Sequence, residues 1–209
     1  MGSRTLDHTD VQVYVVDDDP AVRESLRWLM DSVSLPVAAC DSAKAFLDVY
    51  HPDKPGCVVL DVRMPAMSGL ELQDRMAAEG IGLPIIFITG HGDVPMAVRA
   101  LKNGAVDFIE KPFSDQTLLD RIQHAVERSR RQIEKARNRD ELDHRMSTLS
   151  PRERDVMSLV VNGNSNKAIA ATLGLSPKTV EVHRARVMEK MQANSLPELV
   201  TMSMNASRN

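Results

Sequence analysis

Four short apolar runs, each cut off by polar residues, constrain this 209-residue chain more than any other feature. Val13-Tyr14-Val15-Val16 runs into Asp17-Asp18-Asp19, and Val58-Val59-Leu60 runs into Asp61 and then Val62-Arg63-Met64-Pro65. Ile85-Ile86-Phe87-Ile88 meets Thr89-Gly90, and Val106-Asp107-Phe108-Ile109 leads through Glu110 into Lys111-Pro112. Runs this short, bounded by turn residues, read as buried strands. With a fifth at 36–40, strands at 11–16, 57–60, 84–88 and 106–109 alternate with helices at 20–33, 42–50, near 68–78, near 94–103 and from about 115. Five βα units in succession predict an α/β fold with a parallel five-stranded sheet covered on both faces. Right-handed crossovers make a flavodoxin-like order the economical solution. The carboxyl ends of such strands share one edge, where open α/β sheets bind ligands. That edge gathers three acids, a hydroxyl and a lysine around Asp61.

Local signals mark the helix starts. Asp19-Pro20 reads as an N-cap followed by proline at the first helical position, so Asp19 is a cap in preference to a ligand; Ser42 and Ser114 are further caps. The fifth helix carries no stop. Leu118, Ile122, Val126, Ser129, Ile133 and Ala136 follow a 4-3-4-3 spacing among charged residues, which predicts one helix from 115 to about 146. Its first part packs on the sheet; the second is a linker, whose thin stripe also suits pairing with another helix. From Ser150 the pattern is all helical. Ser150-Pro151-Arg152-Glu153 forms a capping-box arrangement, a second helix stops at Gly174, Ser176-Pro177 opens a third to about Met191, and a fourth starts at Ser195. A short helix, a Gly-containing turn and a longer basic helix suggest helix-turn-helix.

Charge divides along the same boundary. Residues 1–125 carry 11 Lys/Arg against 19 Asp/Glu, a net of −8, while residues 126–209 carry 15 against 10, a net of +5. An acidic front and a basic rear suggest a cation-handling domain joined to one that meets an anionic surface, nucleic acid above all. No apolar run approaches the roughly 20 residues of a membrane helix. The N-terminus lacks a signal-peptide core, so a cytoplasmic protein is expected. Cys40 and Cys57 stand beside apolar runs without metal-ligand spacing and are expected to be buried, reduced thiols.

Three carboxylates at adjacent strand ends repel, each pair costing roughly 3 kcal/mol at separations near 5 Å and an effective dielectric of 20. A divalent cation, a lysine or raised pKa values must compensate. Oxygen-only ligands select a hard metal such as Mg²⁺ (or Mn²⁺) that keeps several waters. With the cation bridging a carboxylate and a phosphoryl donor, Asp61 becomes a nucleophile that forms an aspartyl phosphate. Lys111 then holds a phosphoryl oxygen as a point charge, and Thr89 donates from its hydroxyl. Any one of these residues alone is uninformative; their joint placement at four strand ends is not.

The acid pair Asp17-Asp18, Asp61 ahead of Arg63-Met64-Pro65, Thr89-Gly90 and Lys111-Pro112-Phe113 make residues 11–125 resemble a response-regulator receiver domain, close to the FixJ branch. The resemblance implies Asp61 as phosphoacceptor. It implies Mg²⁺ bound directly by Asp18, Asp61 and the backbone carbonyl of Arg63, with Asp17 acting through water. Thr89 and Phe108 become the switch pair, and Lys111-Pro112 a cis peptide. Phe108 stands where many receivers have tyrosine, so its ring can act by packing alone. Arg63 and His91, two residues beyond Asp61 and Thr89, are either tuners of the phosphate's lifetime or solvated rim residues.

Residues 148–204 resemble a LuxR-type DNA-binding domain of the FixJ/NarL family, through Leu149-Ser150-Pro151-Arg152-Glu153, Asn166-Lys167-Ala168-Ile169-Ala170 and Leu175 to His183. The helix from Pro177 would then lie in the major groove. Val180, Val187 and Met191 repeat at helical spacing and are core candidates; Lys178, Glu181, Val182, Ala185 and Arg186 fall on the exposed side. The resemblance turns Glu181, Val182 and Ala185 towards bases, Glu181 being suited to accept from cytosine and the other two to touch a thymine methyl. Lys178, His183, Arg184 and the amides near Ser176 are expected at phosphates, with Thr179 and Arg186 also in the interface.

The expected organisation is a tail at 1–10, a receiver at 11–125, a helical linker at 126–147 and a four-helix DNA-binding domain at 148–209. A two-component response regulator follows. A sensor histidine kinase phosphorylates Asp61, the surface of residues 93–110 mediates homodimerisation, and two helix-turn-helix units bind double-stranded DNA to regulate, by analogy activate, transcription with RNA polymerase. Two alternatives stand beside it. A Mg²⁺-dependent phosphohydrolase usually places a second aspartate two residues after the nucleophile, where this chain has Arg63; a regulator that works without phosphorylation would not need the intact acid set.

Overall fold

The computed structural model describes residues 11–90 and 94–206, and these divide into two compact units at Glu134/Lys135. In the first, β1 (Gln12–Val16), α1 (Pro20–Ser32), β2 (Val37–Cys40), α2 (Ala43–Val49), β3 (Gly56–Asp61), α3 (Gly69–Ala78), β4 (Ile85–Thr89), α4 (Val94–Lys102) and β5 (Asp107–Glu110) alternate, and α5 (Asp115–Ser147) follows. The strands form one parallel sheet in the order β2-β1-β3-β4-β5. This is the flavodoxin-like arrangement expected of five βα units.

Side-chain alternation along the strands builds two cores. Tyr14, Val16, Val58, Leu60 and Phe87 face one side, where they meet Phe46 of α2 and Leu72 and Met76 of α3. Val13, Val15, Val59, Ile86 and Ile88 face the other and meet Leu26 and Met30 of α1 and Leu118, Ile122 and Val126 of α5. Both faces are thus covered, which is why the central strands read as unbroken apolar runs. Register places the polar ends. Asp61 pairs with Ile88 and Thr89 with Glu110, so both belong to their strands instead of following them as the pattern of apolar residues suggested. Every residue of β3 is buried, Asp61 included.

The caps act as anticipated: Asp19 accepts from the Ala21 amide at 2.8 Å, Ser42 from Ala45 and Ser114 from Thr117. Both cysteines are free and buried, and burial raises their thiols to about 11 for Cys40 and about 12 for Cys57. Helix α5 runs unbroken for 33 residues. Its stripe from Leu118 to Ser129 is core, and Ser129 accepts from the Gly56 amide at 3.1 Å in the interior.

The second unit is all helical. After the end of α5 it contains α6 (Pro151–Val161), α7 (Asn166–Leu173), α8 (Pro177–Met191) and α9 (Leu196–Ala206). Val156, Val160, Ile169, Val180, Val187, Met191 and Leu199 form its core, joined by Leu142 and Met146 of α5. The capping box at Ser150 and Glu153 is formed, and Gly174 ends α7 in the left-handed region at φ 67°, a conformation that favours glycine.

Candidate functional site

Strand ends bring Asp17, Asp61, Thr89 and Lys111 together. The Lys111 ammonium donates to Asp17 Oδ2 at 2.9 Å and to Asp61 Oδ1 at 3.1 Å, one cation shared by two carboxylates from neighbouring strands. Each acid is held by a second donor. The Asp19 amide reaches Asp17 Oδ1 at 2.9 Å, and the Arg63 amide reaches Asp61 Oδ2 at 2.6 Å. Asp17 and Thr89 are almost fully buried and Asp61 is 7% exposed, whereas Asp18 and Arg63 are exposed. The Lys111 amide donates to the Thr89 carbonyl at 2.7 Å, and the Lys111–Pro112 peptide is cis.

Burial raises the Asp61 pKa, against the lowering pull of the Lys111 hydrogen bond and charge and of the Arg63 amide. For Lys111, burial acts to lower the pKa, but hydrogen bonds and charge from Asp17 and Asp61 together outweigh it and leave it above the ordinary lysine value.

The donor set is all oxygen, which fits a hard divalent cation. Among the described residues, however, no group of three or more His, Cys, Asp or Glu side chains is gathered as a metal cage. Lys111 stands between Asp17 and Asp61, and Asp18 is on the surface. Phe108 is half-buried with its ring 6.1 Å from Phe87 in a tilted contact. His91 lies outside the described residues, as does Asp93 at the start of the 93–110 surface. From α4, Val94, Val98 and Leu101 are exposed apolar residues on that surface.

Three contributors escaped the reading of strand ends. The Arg23 guanidinium, one turn into α1, donates to the Asp17 carbonyl at 2.7 Å. The Asp19 amide donates to Asp17 Oδ1 while the Asp19 side chain caps α1. Gly69 opens α3 so close to β3 that a Cβ there would lie 2.2 Å from the Asp61 carbonyl oxygen. Its place directly after the Ser68 cap was the available signal.

In the second unit, Ser176 caps α8 by accepting from the Thr179 amide at 3.1 Å, and Val180, Val187 and Met191 are buried. Lys178, Glu181, Val182, Ala185 and Arg186 are exposed along one side of α8; Thr179, His183 and Arg184 are half-buried. Arg184 donates to Asn166 Oδ1 at 3.0 Å and so ties α8 to the first residue of α7. His183 Nδ1 is buried and accepts no hydrogen bond from the described residues. Arg184 is therefore partly committed to the helix pair, while the five exposed residues form the open face of α8. Beneath, Glu153 bonds Lys190 at 2.6 Å and the Ser150 amide at 2.9 Å, and these bonds, the Lys190 one foremost, lower its pKa to about 2. Among the described residues no helix is long and apolar enough to cross a membrane.

Comparison with known proteins agrees with both halves. Residues 13–123 match the response regulator receiver domain family and residues 147–203 match the bacterial regulatory proteins of the luxR family. The transcriptional regulatory protein FixJ of Azorhizobium caulinodans is 52% identical over 194 residues, covering 93% of this chain and 92% of its own. Nodulation protein W of Bradyrhizobium diazoefficiens is 50% identical over 202 residues, covering 97% and 89%. Among solved structures, the response regulator StyR superposes with a TM-score of 0.89 at 44% identity, covering 94% of this chain and 99% of that one. A receiver domain whose acids meet a lysine at the strand ends, joined to a LuxR-type helix-turn-helix, makes this chain a response regulator of the FixJ kind, a transcriptional regulator.

Proposed function

We propose that Asp61 accepts a phosphoryl group from a sensor histidine kinase and that the added charge controls dimerisation and sequence-specific DNA binding. The observation that carries this reading is the Lys111 ammonium shared between Asp17 and Asp61. Such a cation offsets carboxylate repulsion at rest and is in place to hold a phosphoryl oxygen afterwards. Mg²⁺ (or Mn²⁺) would be held directly by Asp18, Asp61 and the Arg63 carbonyl, and by Asp17 through water. When bound it neutralises charge on the phosphoryl oxygens during transfer. Asp61 then attacks phosphorus, and the donor leaves with the electrons of the broken P–O or P–N bond.

Phosphorylation adds about −1.5 to −2 charges. Thr89 bonds the new oxygens, Phe108 repacks beside Phe87, and the surface of residues 93–110 becomes a homodimer face. Two DNA-binding domains, each joined to its receiver through α5, then engage paired half-sites. Glu181, Val182 and Ala185 read base edges, and Lys178, Thr179, His183, Arg184 and Arg186 hold phosphates and register. Transcription is activated through RNA polymerase in the cytoplasm, and the chain turns over no substrate of its own. Arg63 and His91 tune the lifetime of the phosphate.

The test is intact mass after incubation with acetyl phosphate, with and without Mg²⁺, beside Asp61→Asn. One added phosphoryl group that requires both Mg²⁺ and Asp61 is expected, with acetate released. Absence of any adduct removes the trigger, and rapid turnover of donor without adduct points to the hydrolase instead.

A further inference from the structure

The turn that leaves β1 is held by hydrogen bonds on both sides of Asp18. Before it, Asp17 is 1% exposed; its amide donates to the Cys40 carbonyl of β2 at 3.2 Å, and its Oδ2 accepts from Lys111 at 2.9 Å. After it, the Asp19 amide donates to Asp17 Oδ1 at 2.9 Å, and the Asp19 carbonyl accepts from the Arg23 amide at 3.1 Å. Asp18 itself is exposed. The peptide plane between Asp17 and Asp18 is tied down at its carbonyl, which accepts from Arg23 Nη1 at 2.7 Å. A peptide is planar, so a residue between two peptides has only φ and ψ to turn about. One plane is anchored at the Asp17 carbonyl and the next at the Asp19 amide. Together they set both angles of Asp18, and with them the direction of its Cα–Cβ bond.

We infer that Arg23 is a positioning residue for the hard divalent cation of the proposed function, and that it acts by aiming the Asp18 carboxylate. The inference rests on that reading, in which Asp18 is a direct ligand. A ligand carried on a free turn must give up the freedom of that turn when it binds, whereas a turn fixed beforehand has already lost it. Attraction is not the reason for Arg23, because a guanidinium repels the cation that Asp18 is to hold. Positioning and charge thus predict opposite results when Arg23 is removed. The cation binds more weakly if Arg23 aims Asp18, and more tightly if only its charge is felt.

Mn²⁺ is titrated into the full chain without any phosphoryl donor, and free Mn²⁺ is counted by electron paramagnetic resonance, a readout that needs no phosphoryl transfer. Arg23→Met should weaken binding about tenfold, as loss of a group that holds a metal ligand in place generally does. Arg23→Lys, which keeps the charge and a donor on a shorter side chain, should fall between. In the Asp18→Asn background, itself weaker, Arg23→Met should change the affinity by less than about twofold, because no carboxylate is left to aim. Equal or tighter binding by Arg23→Met, or the same tenfold loss in both backgrounds, overturns the inference and leaves the metal ligands of the proposed function standing. Binding by Asp18→Asn as tight as that of the unmodified chain overturns those ligands and the inference with them. Should Arg23→Met fail to fold, seen as lost exchange protection at Val58–Leu60, Arg23→Gln is put through the same comparison.

Discussion

Replacing Lys111 by methionine removes the one cation observed bonding both Asp17 and Asp61 while keeping the length of the side chain. The two bonds from its nitrogen measure 2.9 and 3.1 Å, so the carboxylate oxygens they join are at most 6.0 Å apart, the two bonds laid end to end. At that limit two unit charges repel by about 3 kcal/mol at an effective dielectric near 20, and more if they are closer. Side-chain exposures of 2% for Asp17 and 10% for Asp61 mean that solvent screens little of it. Lys111→Met should therefore destabilise the receiver by about 3 kcal/mol at neutral pH, in chelator so that no divalent cation compensates. Asp61→Asn removes one of the two charges together with its burial penalty and should cost little by itself. In the Asp61→Asn background, Lys111→Met exposes no carboxylate pair, so the double variant should recover about 2–3 kcal/mol relative to the sum of the singles. Urea-dependent hydrogen exchange of peptides covering Val58–Leu60 reads the receiver without interference from the second unit. Additivity within about 0.5 kcal/mol would falsify the shared-cation account, because charges that do not sense each other through Lys111 have nothing to couple.

Gly69→Ala would place a Cβ 2.2 Å from the Asp61 carbonyl oxygen; the strain should cost about 2–3 kcal/mol and displace Asp61, which on the proposed function is read as slower gain of the phosphoryl mass from acetyl phosphate. The Glu153 carboxyl, lowered to about 2 by Lys190 and the Ser150 amide, stabilises the second unit above its ordinary value of 4.5; that stabilisation should fade as pH falls from about 4.5 towards 2, seen in hydrogen exchange at Val156 and Val160. Lys190→Met should flatten that pH dependence and cost about 1–2 kcal/mol at pH 7, less than a fully buried pair because Lys190 is 36% exposed; an unchanged acid profile would show that Lys190 does not set the Glu153 pKa.

How much of this was legible in the chain varies from residue to residue. Strand number, parallel order, helix caps and the unbroken α5 follow from apolar periodicity and cap chemistry, which are local and need no knowledge of what packs where. The gathering of Asp17, Asp61, Thr89 and Lys111 was also accessible, because parallel βα topology forces every strand to end on one edge. The exposed face of α8 likewise follows from the spacing of Val180, Val187 and Met191, all of which are buried.

Pairing between distant segments was not accessible by that route. The sequence shows three acids and a lysine at strand ends but does not say that Lys111 stands between Asp17 and Asp61 while Asp18 is left in solvent; that depends on the register of β1, β3 and β5, set by close packing across the sheet. The same holds for Arg184 turning to Asn166, Lys190 to Glu153, and the Gln73 amide to Ala100 with its oxygen unanswered. Periodicity determines which face of an element is buried, since that depends only on spacing along one helix or strand. Which polar atom finds a partner depends on the separation of atoms from different elements to within a few tenths of an ångström, and only the folded chain decides that.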